Sequence, residues 1–174
     1  SAASDVYKRQ DSFFESMSGI TTTGATVIAG LDDLPKSLLI YRQLLQWLGG
    51  MGLIVLAIAV MPLLGIGGGQ LFKTQTPGPM NEQRLTPRIT STARALWSIY
   101  FVLTVLCIFA YRLAGMSYFD AVSHAFSTVS IGGFSTHDLS IGFFDSLSIE
   151  IVCITFMLLS AMSFAVHYLS LIHI

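Results

Sequence analysis

Three stretches of this chain, 43–72, 95–111 and 151–174, contain no Asp, Glu, Lys or Arg. Hydrophobic residues make up 53% of the chain and charged residues 11%, well below the charged share of a soluble surface. A helix needs about 20 apolar residues to cross a hydrocarbon core of about 30 Å. Three membrane spans are therefore expected, at about 39–65, 95–115 and 147–170. The middle span is the shortest, and Arg94 and Arg112 at its ends can snorkel to the two interfaces. A membrane enzyme needs convergent ionisable residues inside its spans, and residues 43–72, 95–111 and 151–166 offer no charged one, so catalysis is not expected. A net charge of −1 gives no basic face for nucleic acid. Cys107 and Cys153 fall within spans without a CxxC or His-spaced partner and read as core thiols.

Between the spans one unit occurs twice. The first copy runs from Asp11 through Phe13, Phe14, Glu15 and Ser18 to Thr21-Thr22-Thr23-Gly24-Ala25-Thr26. The second runs from Asp120 through His124 and Ser127 to Ser130-Ile131-Gly132-Gly133-Phe134-Ser135. They align without a gap: Asp11 on Asp120, Ser18 on Ser127, Gly24 on Gly133, Thr26 on Ser135. Each copy leads through a loop into a long hydrophobic segment. Repeating such a unit around an axis is how ion pores are commonly built. Segments 11–20 and 117–129 are too short and too polar to span, and read as re-entrant half-helices. Irregular backbone at membrane depth is tolerated only where it is buried in protein or lines a wet cavity. The C-terminal ends of the half-helices would bring partial negative charge to the pore axis, which favours a cation.

Lysines and arginines set the orientation. Lys73, Arg84, Arg88 and Arg94 lie between the first two spans against the single acid Glu82, whereas 116–150 holds Asp120, Asp138, Asp145 and Glu150 and no Lys or Arg. The positive-inside rule places 66–94 in the cytoplasm and 116–146 outside. Both Thr/Gly turns then face outward. Pro77-Gly78-Pro79 and Thr86-Pro87-Arg88 suggest turns, and Ser91 or Thr92 can cap the second span. Pro62 should kink or end the first span. Gly49, Gly50 and Gly52 would let another helix approach it closely, and their place beside the turn favours a pore helix. Gly67-Gly68-Gly69 lacks the Lys and Ser/Thr of a phosphate loop and reads as a helix-ending turn.

The Thr/Gly turns are the candidate site. A dehydrated cation needs several oxygens at once, and a Thr-Thr-Thr-Gly or Ile-Gly-Gly run can present successive carbonyls in one direction. His124 and His137 are the histidines near them. His124 reads as a packed or hydrogen-bonded side chain of the half-helix. His137 reads as a solvated loop residue, a pH-sensitive mouth residue being the alternative.

The runs FFESMSGITTTGATVIAGLDDLPKSLLIYRQLLQWLGGMGLIVLAIAVMPLLGIGG, TPGPMNEQRLTPRI and AFSTVSIGGFSTHDLSIGFFDS resemble the membrane subunit of bacterial Trk-type potassium uptake systems, the TrkH family, within a superfamily that includes KtrB and the plant HKT transporters. The resemblance covers roughly 11–168. It implies an all-α membrane protein of membrane helix–pore loop–membrane helix repeats, potassium-channel-like, with four repeats around one pore. This chain would be incomplete: 11–65 gives the re-entrant helix, filter and second helix of repeat one, 66–94 a cytoplasmic linker, and 95–168 repeat two. Segment 1–10 is expected to be a non-native or disordered end and 169–174 a truncated or non-native one. By the family pattern the carbonyls that bind potassium map onto Thr22, Thr23 and Gly24, and onto Ile131, Gly132 and Gly133. Related plant transporters with Ser at the place of the filter glycine tend to favour sodium. The resemblance further implies a multi-pass protein of the bacterial inner membrane, a nucleotide-binding cytoplasmic regulatory subunit resembling TrkA, and a homodimer of pore chains in lipid. Uniport, proton symport and sodium symport would all use such a filter. A homomeric two-helix pore-loop cation channel is the alternative. It needs a single filter sequence, whereas TTTGAT and SIGGFS differ.

Overall fold

The structure, a computed structural model, describes the backbone of residues 2–60 and 85–162, with side chains at 8–52, 94 and 96–162. Pro62, Gly67–Gly69, His167, His173, residues 61–84 of the expected span end and linker, and the 169–174 end lie outside the described residues.

Among the described residues five α-helices carry the fold: α1 (Ala2–Ile20), α2 (Lys36–Val60), α3 (Leu85–Leu113), α4 (Tyr118–Val129) and α5 (Leu147–Ala161). No strand occurs among the described residues. Short 3-10 turns, Leu31–Asp33 and Ser140–Phe144, sit in the two loops that follow the half-helices. Helix α3 contains an apolar stretch long enough to cross a bilayer, Leu96–Leu113, and α5 is a shorter apolar helix.

Local sequence explains the helix ends. Pro35 leads into α2, where its fixed φ suits a helix start, and its carbonyl accepts from Leu38 N–H at 2.9 Å. Ser117 caps α4: its hydroxyl oxygen accepts from Asp120 N–H at 3.2 Å and its O–H donates to Asp120 Oδ2 at 2.7 Å. That matches a half-helix over 117–129.

Two boundaries differ from the sequence reading. Helix α1 starts at Ala2 and not at Asp11, so its helical backbone extends upstream of the expected half-helix. Helix α3 starts at Leu85, inside the expected linker. Pro87 does not prevent this, because in the first helical turn its missing N–H would have no partner anyway. Ser91 and Thr92 are consequently interior to α3 and do not cap it.

Helix α2 is the spine of the arrangement. It packs on α1 of its own unit and on α4 of the next, while α4 and α5 both pack on α3. The glycines of α2 make this possible. A Cβ built on Gly49 would stand 2.0 Å from the Ile20 carbonyl oxygen, at the end of α1. One built on Gly50 would stand 3.0 Å from Ser130 Cβ, at the end of α4. The adjacent pair therefore receives the ends of both half-helices, as small residues in membrane helices do. A Cβ built on Gly52 would meet nothing within 4 Å among the described residues, so Gly52 takes no part in these contacts. Trp47 ties α2 to α3: its indole N–H donates to Thr104 Oγ1 at 3.0 Å and its carbonyl accepts from Tyr100 Oη at 3.0 Å. Tyr111 on α3 reaches Thr128 of α4 through a buried hydroxyl pair at 2.7 Å. Cys107 and Cys153 are buried free thiols of this core.

Candidate functional site

Each Thr/Gly turn grows from the C-terminus of a half-helix, and the two are built alike. After α1, Thr22 N–H donates to Gly19 O at 3.0 Å and Thr23 N–H to Ser18 O at 3.0 Å. After α4, Ile131 N–H donates to Thr128 O at 3.1 Å and Gly132 N–H to Ser127 O at 2.9 Å. Both bonds of the second turn fall on the residues that the sequence alignment pairs with the first. The pattern closes a helix with a left-handed residue, a place that glycine usually takes. Here it is taken by Thr22 and Ile131, each at φ 55°. A β-branched residue at positive φ is rare and costs about 1–3 kcal/mol, so it persists only where surroundings impose it. Two residues on, Gly24 (φ 74°) and Gly133 (φ 85°) are left-handed again.

The turns also meet in space. A Cβ built on Gly24 would stand 1.8 Å from the Gly132 carbonyl oxygen. Glycine is required at Gly24 by both its φ and this approach. Gly133 has only the φ requirement, since a Cβ there would meet nothing within 4 Å among the described residues. Thr23, Ile131 and Gly133 are exposed while Gly132 is buried, so the second turn has an open side and a packed side.

What holds each turn from behind is different. Behind the first lies a buried ion pair, Glu15 Oε2 to Arg42 Nε at 3.3 Å, with side chains 6% and 4% exposed. Glu15 Oε1 accepts from Thr26 Oγ1–H and from the backbone N–H of Val27 (2.8 Å) and Ile28 (3.2 Å). Arg42 Nη2 donates to Thr26 Oγ1 at 3.1 Å, and the guanidinium lies over the Phe134 ring at 4.3 Å. The carboxylate and the cation thus pair and pin the backbone that leaves the turn, while Arg42 Nη1 has no hydrogen-bond partner among the described residues.

Behind the second turn the aligned residues are neutral. His124, aligned with Glu15, is buried, and its Nδ1 lies 3.0 Å from Asp120 O, an acceptor only. Nδ1 therefore carries the proton, and Nε2 accepts from Ser135 Oγ–H at 3.0 Å. Ser135 Oγ accepts in turn from His137 N–H at 3.1 Å. Asp120 Oδ1 accepts from Thr136 Oγ1–H at 2.9 Å. Gln46 of α2 supplies a further contact: its Oε1 accepts from Phe134 N–H at 3.1 Å.

The loops that follow the two half-helices are clasped together. Asp138 Oδ1 accepts from Gly30 N–H at 3.0 Å, and Oδ2 from Leu31 N–H at 3.1 Å. His137 Nδ1 bonds Asp32 Oδ1, and that hydrogen bond holds the Asp32 carboxyl below the usual carboxylate range. The His137 ring stacks on Phe143 at 3.6 Å. It is therefore a bound residue of the clasp and not a solvated loop histidine.

Sequence reasoning found both turns and their pairing. It missed Glu15, Arg42 and Gln46. The signal was present: Glu15 is an acid inside a half-helix and Arg42 a base just inside a span, and buried charges need partners.

The family profile described as "TrkH: Cation transport protein" matches residues 1–174. The Trk system potassium uptake protein TrkH of Halomonas elongata is 61% identical over 160 residues, which is 92% of this chain and 33% of that protein. The protein of the same name from Vibrio parahaemolyticus is 60% identical over 158 residues, again 33% of its length. TrkG of Escherichia coli is 54% identical over 159 residues. The chain thus spans about a third of the length of these curated relatives, 33% of the Halomonas elongata protein. The crystal structure of the potassium transporter TrkH from Vibrio parahaemolyticus superposes with a TM-score of 0.78 at 56% identity, covering 91% of this chain and 30% of that one.

Proposed function

This chain belongs to the TrkH family of cation transport proteins, and from that premise we propose that it contributes two strands of the selectivity filter of a potassium uptake pore in the bacterial inner membrane. The observation that carries this reading is the shared backbone of the two turns. Left-handed residues occur at Thr22 and Gly24, and again at Ile131 and Gly133. In an ordinary strand successive residues alternate sides. A left-handed residue at every second position undoes that alternation, so successive carbonyls can face one side and replace the water shell of a cation. Thr22, Thr23 and Gly24, with Ile131, Gly132 and Gly133, supply those carbonyls to potassium, which is cargo and not a resident cofactor.

Two strands do not enclose an ion. The whole protein, we infer, carries four such repeats, works with a nucleotide-binding cytoplasmic subunit resembling TrkA, and pairs as a homodimer. Residues 66–94 lie inside and 116–146 outside, as the Lys/Arg asymmetry requires. The unlike supports of the two turns, Glu15–Arg42 against His124–Ser135, argue for fused nonequivalent repeats over a homomeric ring.

The test is complementation. A full-length protein containing this sequence should restore growth of a potassium-uptake-deficient strain on limiting potassium, and residues 11–168 alone should not. Failure of the full-length protein at normal membrane abundance would reject potassium uptake. Rescue by 11–168 alone would revive the homomeric channel.

A further inference from the structure

One side chain touches both turns. Gln46 is fully buried at 0% exposure. A Cβ built on Gly132 would stand 2.4 Å from Gln46 Cδ, so the amide lies flat against the second turn. A Cβ built on Gly24 would stand 3.5 Å from Gln46 Nε2, so the same amide reaches the first. Nε2 has no hydrogen-bond partner among the described residues, although it is buried. A buried amide costs free energy unless it is bonded, and an apolar residue of similar size would fill this space at lower cost.

What the amide does is visible at its oxygen. Gln46 Oε1 accepts from Phe134 N–H at 3.1 Å. That N–H shares a peptide plane with the Gly133 carbonyl, and in a trans peptide the two point in opposite directions. Gly133 is exposed and open on its free side. A bond that draws Phe134 N–H back toward α2 therefore turns the Gly133 oxygen away from α2, toward the open side of the turn. We propose that Gln46 is a positioning residue for ion selection: its side chain, from the second helix of repeat one, fixes the Gly133–Phe134 peptide plane and so aims the Gly133 carbonyl at the ion. The inference rests on the reading of the turns as filter strands.

The experiment uses the full-length protein, with rubidium uptake measured against competing sodium at matched membrane abundance. Gln46→Met keeps the volume and removes the acceptor. Its discrimination against sodium should fall about fivefold, the factor that one ordinary net hydrogen bond supplies. Gln46→Glu, held as the neutral acid by burial at this place, keeps a carbonyl acceptor for Phe134 N–H and should stay within about twofold of the parent, less than the worth of that bond. Gln43→Met, one turn earlier on α2 and equally buried, should leave discrimination unchanged, because the Gln43 amide bonds nothing among the described residues. Unchanged discrimination in Gln46→Met, or a loss in Gln46→Glu as large as that in Gln46→Met, overturns the inference. If Gln46→Met does not reach the membrane, Gln46→Asn is read in its place. Its shorter side chain does not reach Phe134 N–H, so loss supports the inference and retention overturns it. Gly133→Ser is measured alongside. If it loses discrimination while the Gln46 variants keep it, only the role of Gln46 fails. If it too is unchanged, the filter reading fails.

Discussion

The two turns have one backbone and two kinds of support. Thr22 and Ile131 share φ 55°, and the helix-closing hydrogen bonds correspond residue for residue. Yet the half-helix side chain that reaches forward to the flank of the turn is Glu15 in one and His124 in the other. The first is completed by Arg42 and relies on charge. The second relies on a neutral imidazole, Ser135, Thr136 and Asp120. In the filter proposed above an ion would see only carbonyls, so the backbone would have to be reproduced in each repeat. The side chains behind it need only hold that backbone in place, by whatever chemistry is available there. The unlike supports also give each turn a different vulnerability.

The largest difference should appear at the glycines. Gly24→Ala adds a Cβ that would lie 1.8 Å from the Gly132 oxygen at a positive φ, whereas Gly133→Ala adds one in open space. Rubidium uptake by the full-length protein should drop more than about a hundredfold in the first, as for severe backbone displacement, and about tenfold in the second, where only left-handed strain of about 1–2 kcal/mol is added. Equal losses would mean that the Gly24–Gly132 contact does not matter. Next comes the ion pair. Arg42→Met strands a buried carboxylate and should cost about 3–5 kcal/mol, seen as a lowered midpoint of thermal unfolding of the purified protein. The double variant Glu15→Gln with Arg42→Met should recover part of that loss. His124→Phe keeps a ring but removes a neutral hydrogen bond, and should cost about 1–3 kcal/mol in the same assay. A larger cost at His124 than at Arg42 would invert the comparison. Thr26→Ser should be the mildest, within about 0.5 kcal/mol, because Ser135 already fills that place in the second turn.

The repeat, the half-helix over 117–129 and the likeness of the turns were legible because they rest on features that sequence displays: charge-free stretches, an ungapped alignment and glycine placement. The glycines at 49 and 50 were legible for the same reason. The start of α3 was not. Pro87 reads as a turn signal, and only its position in the first helical turn makes it harmless. Glu15 and Arg42 were hidden by distance along the chain, since nothing local pairs an acid in α1 with a base in α2. Gln46 was hidden more deeply. Its role depends on the orientation of one peptide plane in the next repeat, and no periodicity encodes that.

The central claim is that both turns line one ion path. The most direct measurement is discrimination between rubidium and sodium in full-length proteins carrying Gly24→Ser or Gly133→Ser, at matched membrane abundance. Both variants should lose potassium-like selectivity, Gly24→Ser the more severely. Unchanged selectivity in both would mean that these turns are ordinary loops, and would contradict the account.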